Sequence, residues 1–278
     1  MLIGKTFPNQ LPVKIAPKVC FLNSKFSGLK KLPKLLEWES VCARHLNYMQ
    51  LSVIIPVLNE EATIKDILSK VIDLKNIYEI IVVNDGSTDN TLEILQKLKK
   101  TAKYNKKLKI ISHKTNLGKG SAIRTGIKQV KSDYVIIQDA DLEYDPNEFT
   151  KLTNVITKDK AVYGSRIMGK GKHAYLRTYL GNIAITTFCN ILFGSRLTDS
   201  YTCYKLIPAN IFKSLNLKST GFEIEAEITA KLLKRKIPIE EIAINYHPRS
   251  YEKGKKIKAK DAIIGALKLI EIRVSRQA

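Results

Sequence analysis

Three acids alternate in Gln138-Asp139-Ala140-Asp141-Leu142-Glu143, directly after an apolar run that begins at Tyr134. On an extended backbone, alternate side chains share one side of the chain. Three carboxylates placed that way repel one another, and a divalent cation neutralises them. Mg2+ and Mn2+ favour such oxygen ligands and complete their shells with substrate phosphates. Asp139, Asp141 and Glu143 are therefore a candidate metal set. The same stretch also reads as an acidic loop before a helix, with Asp145-Pro146 as the helix start. These residues alone leave both readings open.

Other clusters allow two readings each. Asn84-Asp85-Gly86-Ser87-Thr88-Asp89 has turn and capping chemistry, or Asp85 accepts hydrogen bonds from the base or ribose of a nucleotide. In Pro56-Val57-Leu58-Asn59-Glu60-Glu61, Asn59 can cap a helix whose first turn holds the acids, or contact a nucleotide. Asn116-Leu117-Gly118-Lys119-Gly120 opens a helix, and its glycines let something approach the backbone closely. It is not a P-loop, because it lacks Gly-Lys-Ser/Thr, nor a full G-x-G-x-x-G, because Ile123 stands at the last glycine's place. Arg166, Arg177 and the basic run 249–256 suit phosphate, or are simply solvated cations.

The elements that position these clusters alternate. Apolar, β-branched runs predict strands at 51–55, 79–83, 108–112 and 134–138. Helical spacing predicts helices over 60–72, 88–100 and 117–130. That order implies an α/β fold with a largely parallel sheet covered by helices. Ligands of such sheets collect beyond the carboxyl ends of the strands, where every cluster above lies. Further on, the pattern predicts a short strand at 161–163, a helix over 176–193, a strand at 202–207 and a helix over 222–235. An extended stretch at 239–246 and an amphipathic helix over 258–274 end the chain.

The whole chain bounds these readings. Its 278 residues are 44 % hydrophobic and 26 % charged, enough for a sizeable core. Lys and Arg number 47 against 26 acids, net +21 at pH 7, so polyanions are the expected partners. Aromatics are only 8 % and no nucleic-acid motif appears, so nucleic acid is not expected. Cys20, Cys42, Cys189 and Cys203 form no C-x-x-C or zinc pattern, as in a reduced, cytoplasmic chain. The best apolar stretch, 183–193, is interrupted by Thr186, Thr187 and Asn190 and is too short to span a bilayer. No signal peptide is evident. Residues 1–48 contain Pro8, Pro12, Pro17 and Pro33 and show no sustained period. Either Met49 is the natural start, or residues 1–48 are an irregular basic arm upstream of a domain over 49–278.

The clusters occur in one order: PVLNEE, NDGSTDNT, NLGKGSAIRTGI, then QDADLEYDP. That series resembles the inverting glycosyltransferases of family 2, of GT-A fold. Within them it looks most like the dolichyl-phosphate (polyprenyl-phosphate) sugar transferases, through GSR at 164–166, LTDSYTCYKLIP at 197–208, GFEIEAEI at 221–228 and YHPRSYEKGKKI at 246–257. The resemblance covers about 51–275 and leaves 1–48 unmatched.

The resemblance implies a nucleotide-sugar pocket lined by Pro56, Asn59, Glu60, Asp85, Gly118, Lys119, Asp139 and Ala140. It implies Mg2+ or Mn2+ at Asp139 and Asp141, and less securely Glu143, where many dolichyl-phosphate mannose enzymes carry Gln. Asp139, Asp141, Asp199 and Arg166 are the implied catalytic positions, with Asp199 in the segment facing the sugar. Arg166, Arg177, Arg249 and Lys256 are the implied phosphate contacts. Cys203 stands where relatives often have glycine. The implied partners are a nucleotide sugar (GDP-mannose or a UDP-sugar), a polyprenyl phosphate and an anionic membrane surface on its cytosolic face. A phosphate acceptor needs no strong base. A sugar-hydroxyl acceptor would need one, for which Asp199 or an acid in 223–227 is the candidate.

Overall fold

A computed structural model of the protein describes residues 49–169, 176–248 and 259–275. The expectations for 1–48, Arg249 and Lys256 lie outside the described residues, as does the side chain of Arg177.

Strand β1 (Leu51–Val57) is followed by α1 (Ile64–Ile72), β2 (Ile77–Asn84), α2 (Thr91–Lys99), β3 (Leu108–Ser112), α3 (Lys119–Ile127) and β4 (Tyr134–Ile137). This half alternates as the apolar pattern requires. β1, β2 and β4 are buried along almost their whole length, the signature of strands covered on both faces. β1 pairs in parallel with β2 and β4, and β2 with β3.

The helices begin later than their spacing predicts. α1 starts at Ile64 rather than residue 60, and its cap position is Thr63, which makes no side-chain cap bond. α2 starts at Thr91 rather than 88, and α3 at Lys119 rather than 117. The intervening residues are loops tied to one another.

The second half brings α4 (Phe149–Thr153), β5 (Ala161–Ser165), α5 (Leu176–Phe193), β6 (Lys205–Pro208), α6 (Ala209–Ser214), α7 (Ile224–Lys234), β7 (Ile239–Ala243) and α8 (Ala259–Val274). The seven-stranded sheet has the order β3-β2-β1-β4-β6-β5-β7. β6 runs antiparallel to both β4 and β5, while β5 and β7 are parallel. An antiparallel strand begins where its parallel neighbours end. The residues leading into β6 therefore join the loops at the carboxyl end of β4. One large core surrounds the sheet. A second apolar cluster joins Ile185 and Cys189 of α5, Ala226 and Ala230 of α7, and Leu269 and Ile272 of α8.

Candidate active site

The loops after β1 and β2 are zipped together at the carboxyl edge of the sheet. Asn59 Oδ1 accepts from Thr88 N at 2.8 Å, and Asn59 N donates to Ser87 Oγ at 3.0 Å. Glu60 N donates to Thr91 Oγ1, and Glu61 Oε2 accepts from Asn90 N. Asn59 is thus not a helix cap. It sits at φ 51°, a left-handed conformation that Asn tolerates, and its amide bridges two loops. Glu60 is buried, and Pro56, within β1, is half-buried.

Asp85 is almost fully buried and already engaged. Its Oδ1 accepts from Leu117 N at 3.0 Å and its Oδ2 from Gly118 N at 2.8 Å. His113 Nδ1 donates to the same carboxylate at 2.6 Å. Asp85 thereby locks the loop that starts α3, a role its turn-rich setting did not reveal. The close approach that Gly118 permits is made by the chain itself. A Cβ at Gly118, which has φ 94°, would stand 2.3 Å from Thr220 O. Ser121 N also donates to Thr220 O. The backbone around Thr220 packs against this helix start.

β4 ends at Ile137, and the buried Gln138 accepts from Tyr204 OH at 2.7 Å. The alternation of acids then fails. Leu142 turns the backbone at φ 62°, and Glu143 is held by Tyr246, whose hydroxyl donates to Oε2 at 2.6 Å. Ala140 is buried and Asp141 Oδ1 accepts from Glu143 N. Among the described residues, no three His, Cys, Asp or Glu side chains are grouped to hold a metal. The extended backbone on which that grouping rested gives way to a turn at Leu142, and the third acid, Glu143, is engaged by Tyr246. Asp139 and Asp141, both only partly buried, still fit Mg2+ or Mn2+, which take one or two carboxylates and draw the remaining ligands from phosphates and water.

Asp139 stands at the partly exposed end of a line of alternating charge that runs into the interior. Lys119 Nζ lies 2.8 Å from Asp139 Oδ1 and 3.1 Å from Glu225 Oε1. Glu225 Oε2 in turn pairs with Lys205, which is fully buried and also donates to Thr202 O. Burial opposes the charge on Lys119, but Asp139 and Glu225 hold its pKa well above the usual lysine value. Burial likewise opposes ionisation of Asp139, and Lys119 outweighs it, so the carboxyl titrates below its ordinary range. Lys205 was not singled out from sequence, and Glu225 only as one of the acids in 223–227 weighed as a base. The signal was there for Lys205: a cation inside the apolar run Tyr204–Pro208 needs an acid partner.

Arg166 follows β5 and grips Asp199 with two prongs, Nε to Oδ2 at 2.7 Å and Nη2 to Oδ1 at 2.8 Å. Asp199 also accepts from Arg166 N and from Asn182 of α5. Its backbone N, with that of Thr198, donates to Glu241 of β7. Asp199 has 0 % exposure. It orients Arg166, whose guanidinium also lies 5.3 Å from the Tyr246 ring centre. Burial raises and Arg166 lowers the Asp199 pKa, with a net fall.

These shifts give a signed pH dependence. Asp139 and Asp199 bind protons more weakly folded than unfolded, where their carboxyls titrate near 3.8. Glu79 and Glu227 are lowered in the same sense from 4.5. Their stabilisation is complete above those unfolded values and is lost as pH falls through the lower folded ones. Glu241, raised chiefly by burial, opposes the trend as a single group. Thermal unfolding followed against pH is expected to hold its midpoint down to about pH 4.5 and fall steeply below it.

Cys203 is buried against Ile137 O. Burial pushes its thiol well up and raises Cys189 to about 12. Both should resist iodoacetamide at pH 8 in the folded protein and react once denatured, as read by peptide mass.

Residues 52–215 match the family described as Glycosyl transferase family 2. A dolichyl-phosphate beta-glucosyltransferase of Saccharomyces cerevisiae is 32 % identical over 252 residues, 81 % of this chain and 74 % of that protein. The low-salt glycan biosynthesis hexosyltransferase of Haloferax volcanii is 30 % identical over 210 residues, 73 % of this chain, which spans about half (49 %) of that protein's length. Among solved structures, glucosyl-3-phosphoglycerate synthase from Mycobacterium tuberculosis in complex with UDP superposes with a TM-score of 0.64 at 17 % identity, covering 91 % of this chain and 88 % of that one. The same synthase is also known with Mn2+ and UDP. This last likeness concerns the fold.

Proposed function

The chain belongs to glycosyl transferase family 2 and is a glycosyltransferase of GT-A fold, and from that premise we propose that it transfers a sugar from a nucleotide sugar to a polyprenyl phosphate of dolichyl type. A phosphate oxygen of the acceptor attacks the anomeric carbon. The bond to the nucleoside diphosphate breaks, and configuration inverts. The reaction takes place at the cytosolic face of a membrane.

The observation that carries the acceptor reading is the engagement of every acid considered as a base. Asp199 is closed under Arg166. Glu225 faces Lys119 and Lys205. Glu227 accepts from Lys218 N and Ser219 N and pairs with Lys231. Glu223 accepts from Thr220 N and Gly221 N. A sugar hydroxyl would have to surrender its proton to one of them. A phosphate acceptor is already anionic and needs no such help. The names of the relatives point the same way.

Asp139 and Asp141 are the residues that would hold Mg2+ or Mn2+, which supplies positive charge to the leaving diphosphate. Lys119 and Arg166 add fixed cations at the rim of the same edge. A UDP-sugar is the favoured donor because the structural neighbour binds UDP, with GDP-mannose the next to be tried. The test is a donor screen with Mn2+ or Mg2+ against a short-chain polyprenyl phosphate, read by product mass. A sugar–phosphate–lipid product, labile to mild acid and abolished by EDTA, is expected. No lipid product from any donor, or an acid-stable glycan product, overturns the proposal.

A further inference from the structure

Helix α8 is apolar on two faces, where a simple amphipathic helix was expected. Leu269 and Ile272 face the second core cluster and are 1 % and 5 % exposed. Ile263, Leu267, Ile270 and Val274 are 65 %, 61 %, 41 % and 73 % exposed. Their spacing of four, three and four residues keeps them on one line along the helix. Helix α5, packed against α8 through Ile185 and Cys189, repeats the pattern with Leu180 at 53 % and Ile191 at 75 % exposure. Isolated exposed apolar residues need no explanation, but several of them aligned along two packed helices mark an interaction surface. Among the described residues no helix is long and apolar enough to cross a membrane.

The occupant follows from charge. The sequence at the entrance to each helix is basic: 170–177 holds three Lys or Arg and no acid, and 249–260 holds six against Glu252. A second copy of the chain carries +21. It is repelled from this neighbourhood, whereas an anionic lipid surface is attracted to it. The helix ends fix which way it faces. Arg273 lies over the Phe193 ring, and Lys234 donates to Ile272 O, so the carboxyl ends of α5, α7 and α8 gather together. Their amino ends therefore share the other end, where Glu225 of α7 meets Lys119.

We propose that the exposed apolar lines of α5 and α8 form a docking surface for an anionic lipid bilayer, lying in its interface rather than crossing it. This deepens the reading that the acceptor is a membrane lipid, because it sets the active edge of the sheet beside the headgroups from which a phosphate head must be taken.

The test floats the full chain on vesicles of phosphatidylcholine with and without phosphatidylglycerol. Wild type is expected to float with the anionic vesicles. Ile263→Asp with Leu267→Asp, both at exposed positions, is expected to weaken binding about tenfold or more at an unchanged unfolding temperature. Transfer to a detergent-dispersed short-chain acceptor should be unaffected. Wild type that stays unbound, or a variant that floats as well as wild type, overturns the surface. So does a solution dimer dissolved by the same two substitutions, which would assign the face to a second copy. Flotation lost in the variant while no lipid phosphate accepts sugar in either protein upholds the surface and removes the acceptor reading instead.

Discussion

Asp141→Asn is expected to lower kcat by about a hundred- to a thousandfold, some 3–4 kcal/mol of barrier, while the protein stays folded. Asn keeps an acceptor oxygen for the Glu143 N–H, the 3.1 Å bond that shapes this loop. What it removes is a negative charge beside Asp139, at the partly exposed end of β4. Two carboxylates are the minimum this loop offers to a divalent ion once Glu143 is committed to Tyr246. With one gone, affinity for the ion falls, and so does stabilisation of the leaving diphosphate. Glu143→Gln provides the contrast. It retains an oxygen for the Tyr246 hydroxyl, so activity within tenfold of wild type is expected. Initial rates against Mn2+ concentration check both. An Asp141→Asn enzyme within tenfold of wild type would sink the metal assignment, and a Glu143→Gln enzyme as damaged as Asp141→Asn would return Glu143 to the metal set.

Lys205→Met is expected to destabilise the fold by about 3–5 kcal/mol, because it strands part of the Glu225 charge in the interior. Lys205 has 0 % exposure and Glu225 has 3 %. Neither can turn to water when its partner is lost. Glu225→Gln together with Lys205→Met removes both charges and leaves Lys119 paired with Asp139, so the double variant should recover most of the loss. Urea unfolding of the three proteins measures the coupling. Single variants within about 1 kcal/mol of wild type would show that the line of charges is solvated rather than sealed.

The sites differ in how much of them the sequence exposes. The first half of the sheet is legible because each element is local. β-branched runs such as Leu51–Val57 cannot be solvated and must be strands, and the helices between them place successive strands in parallel. The acidic loop after β4 and the Asp85 turn are found the same way, from polar residues at strand ends. The bounds of the helices are less legible. Residues 60–63 and 88–90 have helical spacing, yet bonds between the two loops take up their backbone and side chains. That competition involves residues 31 and 29 apart, beyond any periodic pattern.

By itself, then, the sequence determined the α/β class, the order of the clusters and their place beyond the strand ends. It did so because apolar periodicity is a property of neighbouring residues. The tertiary structure decided what each polar group does there. Asp85 faces backbone amides, Glu143 faces Tyr246, and Asp199 is closed under Arg166, because distant loops supply hydrogen-bond donors to carboxylates that burial leaves no other way to satisfy. It also decided that Lys205 and Glu225, from strand and helix twenty residues apart, complete the charge line that ends at Asp139. A cation and an acid select each other through the low dielectric between them, and only the folded chain says which pair that space encloses.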